Sequence, residues 1–472
     1  MEDPLRSLKV PAPMAERFKE AAALVHNCCG TVRIYSHYDG DGICSAGIVA
    51  KAVHRAGKRF HVSMSDVMKK EDIQAIKGDF ELLMITDMGS TYASDISDKV
   101  RELGVRGIVL DHHRPEKRDE PFSSPEGSNL LEINPRFHGI DGTNGGSGST
   151  LSFLLAMALS PDNADLSIYS LAGSIADRQH VPEFTGLNHG IKELAVEKGL
   201  VTGFKGMPLQ GTDIEDALFR ANEPFIKGVS GDKAGARSLL GKLRIGPEKK
   251  VDELDEDSIR VLNSFIYVNL LKDGVHPTTV AELFRENLFS HEWGSLSNLA
   301  YMIDSCGRSK QTALGFEVVW GSKEAFQTAM KVRADIRKRI QDHLLRTIKE
   351  GVHTMDSIQW IEVSEDSLAG TIAGIAHNFL FDHEKPMLAL SRPDDGGGKV
   401  KVSSRGSRRL CGKGLDLGAV MREASTMYGG EGGGHDVAAG GSFQDGNTEG
   451  FLSMCDMLVG KQLKGKGSGN VK

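Results

Sequence analysis

The sequence predicts an α/β protein. Its parts are an N-terminal doubly wound, mostly parallel sheet, a helical middle and a smaller C-terminal α/β domain. Three observations carry this. Short β-branched or aliphatic runs alternate with helix-patterned segments through the first third of the chain. Acids and histidines stand just past the ends of those runs, where parallel sheets bind ligands. A second strand and helix alternation begins after residue 350.

The opening run is 31–35, TVRIY, which stops at Ser36 and is followed by His37, Asp39 and Asp41. Residues 44–56 carry Ala, Ile and Val at helical spacing, and 59–64 read as the next strand. Residues 81–86 form another strand, ending at Asp87, and 91–103 a helix. Residues 107–110 are a strand that ends at Asp111, His112 and His113, and 130–134 a fifth. A glycine-rich loop, 139–149, precedes a helical run at 150–159. That loop reads either as backbone amides that hold a phosphate or as a long turn capped by Ser147 or Ser149. Ile168, Leu171, Ala172 and Ile175 mark a helix with Asp177 at its polar end.

Farther on, 254–271 has helical patterning behind an acidic run at 252–257, which reads as a solvated helix start. Residues 326–348 suggest one long helix, with Phe326, Met330, Ile336, Ile340, Leu344 and Ile348 as its apolar stripe. Arg333, Arg337, Lys338, Arg339, Arg346 and Lys349 make the other face basic. Such a face reads as a soluble connecting helix or as a track for a nucleic-acid backbone. In the last part, 359–363, 386–391 and 399–404 read as strands, and 368–381 and 415–426 as helices. Residues 429–435, GGEGGGH, read as bare backbone around His435, and 461–472 as a flexible basic tail.

The 472 residues allow two or three domains, and 39% hydrophobic content supplies ordinary cores. A net charge of −7 excludes a basic surface over the whole chain. Six cysteines without CxxC spacing read as reduced thiols. No apolar run approaches the ~20 residues that span a bilayer, and the N-terminus lacks an apolar signal core, so a cytoplasmic location is expected.

Two carboxylates one residue apart repel unless a cation lies near them. One acid after a strand is commonly a helix cap. Four acid or histidine clusters within the first 180 residues, gathered at one sheet rim, point to a metal site instead. Carboxylates with imidazoles suit manganese and also admit magnesium. Tyr38, Phe137 and Tyr428 are the candidate base-stacking platforms, with the core as their alternative.

SHYDGDG (36–42), TDMGS (86–90), VLDHHRP (109–115) and IADRQH (175–180), in that order, resemble the metal-site motifs of the DHH phosphoesterase superfamily, nearest its RecJ-like single-strand exonucleases of archaeal type. GGGHDVAAGGSF (432–443) looks like the glycine-histidine motif of the associated second domain. The resemblance implies a DHH metal-binding domain over 1–190, a helical insert and connecting helix over 191–350, and a substrate-binding domain over 351–460, with a catalytic cleft between the outer two. It implies two divalent cations. One would take His37, Asp39 and Asp87, the other Asp41, Asp87, His112 and Asp177, with Asp87 bridging. A water between them would attack phosphorus in line. His113 would face the scissile phosphate and Asp111 would support it. Arg308, Ser404, Arg405, Gly433, Gly434 and His435 would bind substrate, Arg308 alternatively serving as an ion-paired boundary arginine.

The function so implied is a manganese- or magnesium-dependent exonuclease on single-stranded DNA or RNA, in DNA repair or replication, with replisome proteins as further partners. The alternatives are a phosphodiesterase on short oligonucleotides or cyclic dinucleotides, and a replisome scaffold with a decayed site. The full set of acids argues against decay.

Overall fold

A computed structural model describes residues 4–66, 68–122, 129–392 and 398–464. Two compact units are built, one from Met1–Gly206 with Arg285–Asp335, the other from Met207–Phe284 with Ile336–Lys472.

The first unit centres on five strands: β1 (Thr31–His37), β2 (Arg59–Ser65), β3 (Leu82–Thr86), β4 (Arg106–Leu110) and β5 (Leu130–Ile133). Their spatial order is β2-β1-β3-β4-β5, and every pairing is parallel. The order reverses between β1 and β3. Connections leave those two strands toward opposite sides, so a crevice opens at their C-terminal ends. All five residues of β3 are buried, as expected of a strand covered on both faces. On one face the helices Gly40–Arg55 and Gly148–Leu159 share a core with Ile34, Met84 and Leu110. On the other, the helix Ala93–Leu103 packs with Leu83, Ile85 and Val109.

The helix after β1 starts at Gly40, earlier than the apolar pattern from residue 44 predicts. Asp39 caps it, accepting from the Gly42 amide at 3.0 Å, and Asp41 falls in its first turn. Gly40 to Gly42 carry no apolar periodicity, so this start was hidden from pattern reading. A three-stranded antiparallel sheet completes the unit: β6 (Val201–Gly206), β7 (Arg285–Ser290) and β8 (Gly294–Ser295). The segment 191–350 is therefore not wholly helical. β6 is glycine-rich and its partner β7 lies far away in sequence, so neither strand announces itself locally.

The long helix runs Lys323–Glu350. Ile336, Ile340 and Leu344 are buried, but Met330 and Ile348 of the expected stripe are exposed. Three of the six basic residues expected on its other face are engaged. Arg333 donates to Asn298 Oδ1 at 2.9 Å, and Arg339 pairs with Glu365 at 2.6 Å. Arg337 donates to the Gln210 and Arg220 carbonyls at 3.0 and 2.7 Å. These three arginines hold structure together, as a connecting helix requires. In the acidic run, Asp255 caps the helix Glu256–Lys272 by accepting from the Ser258 amide at 2.8 Å.

The second unit carries a six-stranded sheet. Its strands are β9 (His353–Thr354), β10 (Gln359–Glu362), β11 (Met387–Ser391), β12 (Lys399–Arg405), β13 (Gly432–Gly434) and β14 (Ala438–Gln444). The order is β13-β14-β12-β11-β10-β9, with only β10 and β11 parallel. Leu388, Leu390, Val400, Phe443 and Phe451 form its core with the helices Leu417–Met427 and Thr448–Lys464. The glycine-rich stretch expected as bare loop is in part strand β13, paired with β14. Gly434 has φ +136°, and a Cβ there would stand 2.6 Å from Ala439 Cα, so only glycine fits. Of the expected tail, residues 461–464 end the last helix, and 465–472 lie outside the described residues. Among the described residues no helix is long and apolar enough to cross a membrane.

His377 is buried on the helix Asp366–Phe379, with Nδ1 hydrogen-bonded to the Lys385 carbonyl at 3.1 Å. Burial, then neighbouring His383, holds its imidazole down to about 4. The unfolded chain therefore takes up a proton near pH 6.5 that the folded chain refuses. Stability attributable to this group is full above that pH and falls as pH drops toward 4, by up to about 1.4 kcal/mol per pH unit. Urea midpoints from pH 7 to 4.5 should show wild type losing more stability than His377→Asn; parallel curves would contradict this.

Candidate metal centre

The site lies at the crevice between β1 and β3. β1 delivers His37 at its last residue, and Asp39 and Asp41 follow on the helix start. β3 delivers Asp87, and β4 delivers Asp111, His112 and His113. Asp177 caps the C-terminus of the helix Ser167–Ala176. Asp87 holds φ +58°, a left-handed backbone that Asp tolerates better than most residues. This is a local strain at the residue in the middle of the cluster.

Two ligand groups result. His37, Asp39 and Asp87 form one, and Asp41, His112 and Asp177 the other. His37 Nδ1 lies 3.0 Å from Asp39 Oδ2 and 3.8 Å from Asp87 Oδ2. His112 Nε2 lies 3.2 Å from Asp87 Oδ1, 3.9 Å from Asp41 Oδ2 and 3.8 Å from Asp177 Oδ2. The two oxygens of Asp87 thus turn toward different groups. A third grouping joins Asp87, Asp111, His112 and His113.

The donor set fits divalent cations. His112 Nδ1 lies 2.6 Å from the Gly142 carbonyl, which can only accept, so Nδ1 carries the proton. In the neutral ring Nε2 is then a bare lone pair facing three carboxylates, an arrangement that calls for a cation or a proton between them. Asp87 is driven well above the usual carboxylate range by burial and by the charges of Asp41 and Asp39. Burial and Asp41 push Asp177 up to about 6, against the pull of His112. Burial opposes ionisation of Asp39, but the facing His37 and the Gly42 amide carry it below the usual range. Oxygen-rich ligands with imidazole suit manganese or magnesium.

Asp41 is held differently. The amides of Gly148 and Ser149 donate to its two oxygens at 2.7 and 3.1 Å, and Ser147 Oγ donates at 2.9 Å. The N-terminus of the helix Gly148–Leu159 therefore grips a carboxylate of this chain. That corrects the reading of the 139–149 loop as a phosphate cradle; Ser147 also caps the helix, as the turn reading expects. A Cβ on Gly148 would come within 2.5 Å of Asp87 Cβ, and one on Gly173 within 2.6 Å of Asp41 Oδ1, so bare backbone is needed for this approach.

His113 Nδ1 and the His113 amide bond Asp111 Oδ1 at 2.8 and 3.1 Å, and the Ser90 amide holds Oδ2 at 2.8 Å. Burial opposes a charge on His113, but Asp111 outweighs it and raises the ring to about 9. Asn134 donates to the His113 carbonyl and Arg136 to that of His112, both at 2.9 Å, fixing the backbone of the pair.

Sequence reasoning did not single out Gln179 or Asp304. Gln179 is fully buried and donates to Asp177 Oδ2 at 2.8 Å while accepting from the Gly146 amide at 3.0 Å. Its signal was its place two residues after Asp177. Asp304 accepts from the Gly40 amide at 3.2 Å, and Arg308 pairs with it at 2.6 Å. Arg308 thus braces the start of the Asp41 helix, in keeping with the ion-paired alternative. Nothing local to residue 304 foretold that contact.

The other expected substrate residues belong to the second unit. Ser404 is buried and its hydroxyl donates to the Ala439 carbonyl at 3.0 Å, so that side chain is spent on the sheet. Arg405 lies over Gly370, whose Cβ would meet its guanidinium, and donates to the Ser404 carbonyl at 2.9 Å. Gly433 and Gly434 are in β13, and His435 is exposed in the turn after it. Of the aromatic candidates, Tyr428 sits edge-on to Phe451 at the core, Phe137 lies under Arg118, and Tyr38 stays half-buried against the His37 ring.

The model of the DHH family N-terminal domain matches residues 31–173, and that of the DHHA1 domain matches residues 357–461. The chain belongs to the DHH superfamily of phosphoesterases, in its RecJ-like architecture. The Uncharacterized protein MJ0831 of Methanocaldococcus jannaschii is 28% identical over 465 residues, covering 96% of this chain and 100% of its own. Among solved structures, RecJ of Thermus thermophilus in complex with Mn2+ is 17% identical with a TM-score of 0.56. The match covers 94% of this chain and 55% of that one, so the chain spans little more than half of that RecJ. An exonuclease RecJ bound to manganese is 16% identical with a TM-score of 0.57, covering 96% and 97%. CDC45 of Entamoeba histolytica is 13% identical with a TM-score of 0.61, covering 97% and 99%. At these identities the likeness is one of fold.

Removing one charge from the centre tests its electrostatics. Freed of metal by a chelator, Asp87→Asn should melt ~2–4 °C above wild type, about what 1 kcal/mol of relieved repulsion and desolvation gives. Manganese should raise the wild-type melting temperature and leave the variant unmoved. A metal-free variant that melts lower, or an equal manganese response, would count against the assignment.

Proposed function

We propose that the chain is a metal-dependent exonuclease that hydrolyses phosphodiester bonds of single-stranded DNA or RNA. The observation that carries this is Asp87, whose two oxygens face two separate ligand groups. In this reading His37, Asp39 and Asp87 hold one divalent cation, and Asp41, Asp87, His112 and Asp177 the other, manganese for preference and magnesium as the alternative. Bound there, such cations supply Lewis acidity and a water of lowered pKa for attack at phosphorus.

The remaining groups bind and orient. Asp111 fixes His113 through Nδ1 and leaves Nε2 for a phosphoryl oxygen, where a donor stabilises developing charge. The imidazole is half exposed, which leaves it open to a substrate. Gln179 holds the Asp177 carboxylate in place, and Asp304 with Arg308 fixes the helix that carries Asp41. Arg405, the β13 glycines and His435 are the residues this reading gives to the nucleic-acid strand, and their lying within the DHHA1 match is in line with it. The RecJ structures, named with manganese or magnesium, support the class of reaction and cation. The fold likeness to CDC45 is in line with association with replisome proteins and a role in replication or repair.

A timed digest of end-labelled single strands, DNA and RNA, with manganese or magnesium, tests this. Mononucleotides released from one end are the expected product, and duplex of the same sequence should resist. Asp87→Ala should reduce turnover by at least about 10³-fold with the fold retained, given the share of catalysis that electrostatic stabilisation carries. Arg405→Ala should raise KM more than it lowers kcat, and an unchanged KM removes Arg405 from the binding surface.

A further inference from the structure

One face of β1 and β2 is partly open: Tyr35 leans on the core that holds Leu83 and Ile85, while His61 and Ser65 are exposed. Arg33, Tyr35 and His37 stand beside His61, Ser63 and Ser65 in the parallel register, and none of the six is buried. β3 beside them is buried throughout. The opposite face of the same two strands contributes Val32 and Ile34 to the main core, with Phe60, Val62 and Met64 packed against it. The open face is polar, and it leads along the strands to the metal centre.

Arg33 is the centre of this face. Its guanidinium donates to Tyr35 Oη at 3.1 Å, to Ser63 Oγ at 2.9 Å and contacts His61 Nδ1. It also lies over the Tyr35 ring, 4.7 Å from its centroid. These partners are a phenol, a hydroxyl and an imidazole. Among the described residues no carboxylate pairs with Arg33. Because Tyr35 and Ser63 accept from Arg33, their own O–H protons remain to be donated, and no acceptor for either stands among the described residues. A guanidinium without a counter-charge, flanked by two hydroxyl donors, is a receptor for a phosphate group.

We infer that Arg33, Tyr35 and Ser63 form a phosphate subsite that holds the single strand away from the reacting bond. Arg33 precedes His37 by four residues of extended chain, so the subsite lies about 13 Å from the metal centre. It would take a backbone diester of the same strand whose terminal bond is cleaved. This rests on the nuclease reading above.

The test uses the full chain in an Asp87→Asn background, which leaves substrate uncut, and a fluorescent 20-nucleotide single strand read by anisotropy. Arg33→Gln should weaken binding about tenfold at low salt. The slope of log affinity against log salt should fall by about 0.7, one single-strand phosphate contact. Arg33→Lys keeps the charge and should keep the slope. Ser63→Ala and Tyr35→Phe should each lose a few-fold. Wild-type affinity and slope in Arg33→Gln would overturn the subsite, as would Arg33→Lys falling with Arg33→Gln, which marks a packing role. A wild-type chain that neither cuts nor binds a single strand overturns the nuclease reading as well, so the two failures are told apart. Melting curves of each variant confirm that folding is kept.

Discussion

The first unit is organised by a charge problem. Asp41 and Asp87 are almost wholly withdrawn from water, and Asp39 and Asp177 stand close beside them. Buried carboxylates at this spacing raise one another's energy unless each is separately compensated. Asp41 is compensated by the chain itself, through two amides and a hydroxyl at a helix N-terminus, where the helix dipole also favours a negative charge. Asp87 has no such cradle. Asp87 is met instead by imidazoles, His112 and His37 at its oxygens and the raised His113 nearby, fewer than the acids gathered there. The fold has therefore been built around a deficit of positive charge at one point.

Much of the surrounding detail follows from holding that point in place. Gly148 and Gly173 lack a Cβ where Asp87 and Asp41 press against two helices. Gln179 is spent on both the Asp177 carboxylate and the loop that ends at Ser147. Asn134 and Arg136, on the loop after β5, hold the carbonyls of the paired histidines. Asp304 comes from a distant part of the chain to brace the amide of Gly40. Each contact limits how far the carboxylates can relax apart, and that rigidity keeps the cluster receptive to cations.

Reading the chain alone reached the strands and the acids by different routes. β1, β3 and β4 were legible because β-branched and aliphatic runs have few other uses, and each run stops at a charged residue. Asp39, Asp87, Asp111 and Asp177 drew notice because folding alone does not need acids at so many element ends. β6 and β13 escaped notice because glycine weakens the strand signal, and β7 because its pairing depends on a partner far away in the chain. The glycine-rich loop was legible as a helix start, but the identity of the anion it holds was not. Ser404 looked like a ligand hydroxyl next to Arg405, and only the register of β12 on β14 shows it facing the sheet interior.

Side-chain chemistry is local, so the order of residues by itself determined which groups are present: four acids and a histidine cluster after parallel strands, a fifth acid after a helix, and motifs that mark the DHH superfamily. Distances are not local. Only the packing of helices from residues 148–176 and 296–308 around the helix that follows β1 decided that Asp87 divides its oxygens between two groups. The same packing gave Asp41 to an amide cradle, while the pairing of β2 on β1 set His61 and Ser63 beside Arg33. Those outcomes depend on close approach between segments far apart in the chain, through positions where a single methyl group would have kept them separate.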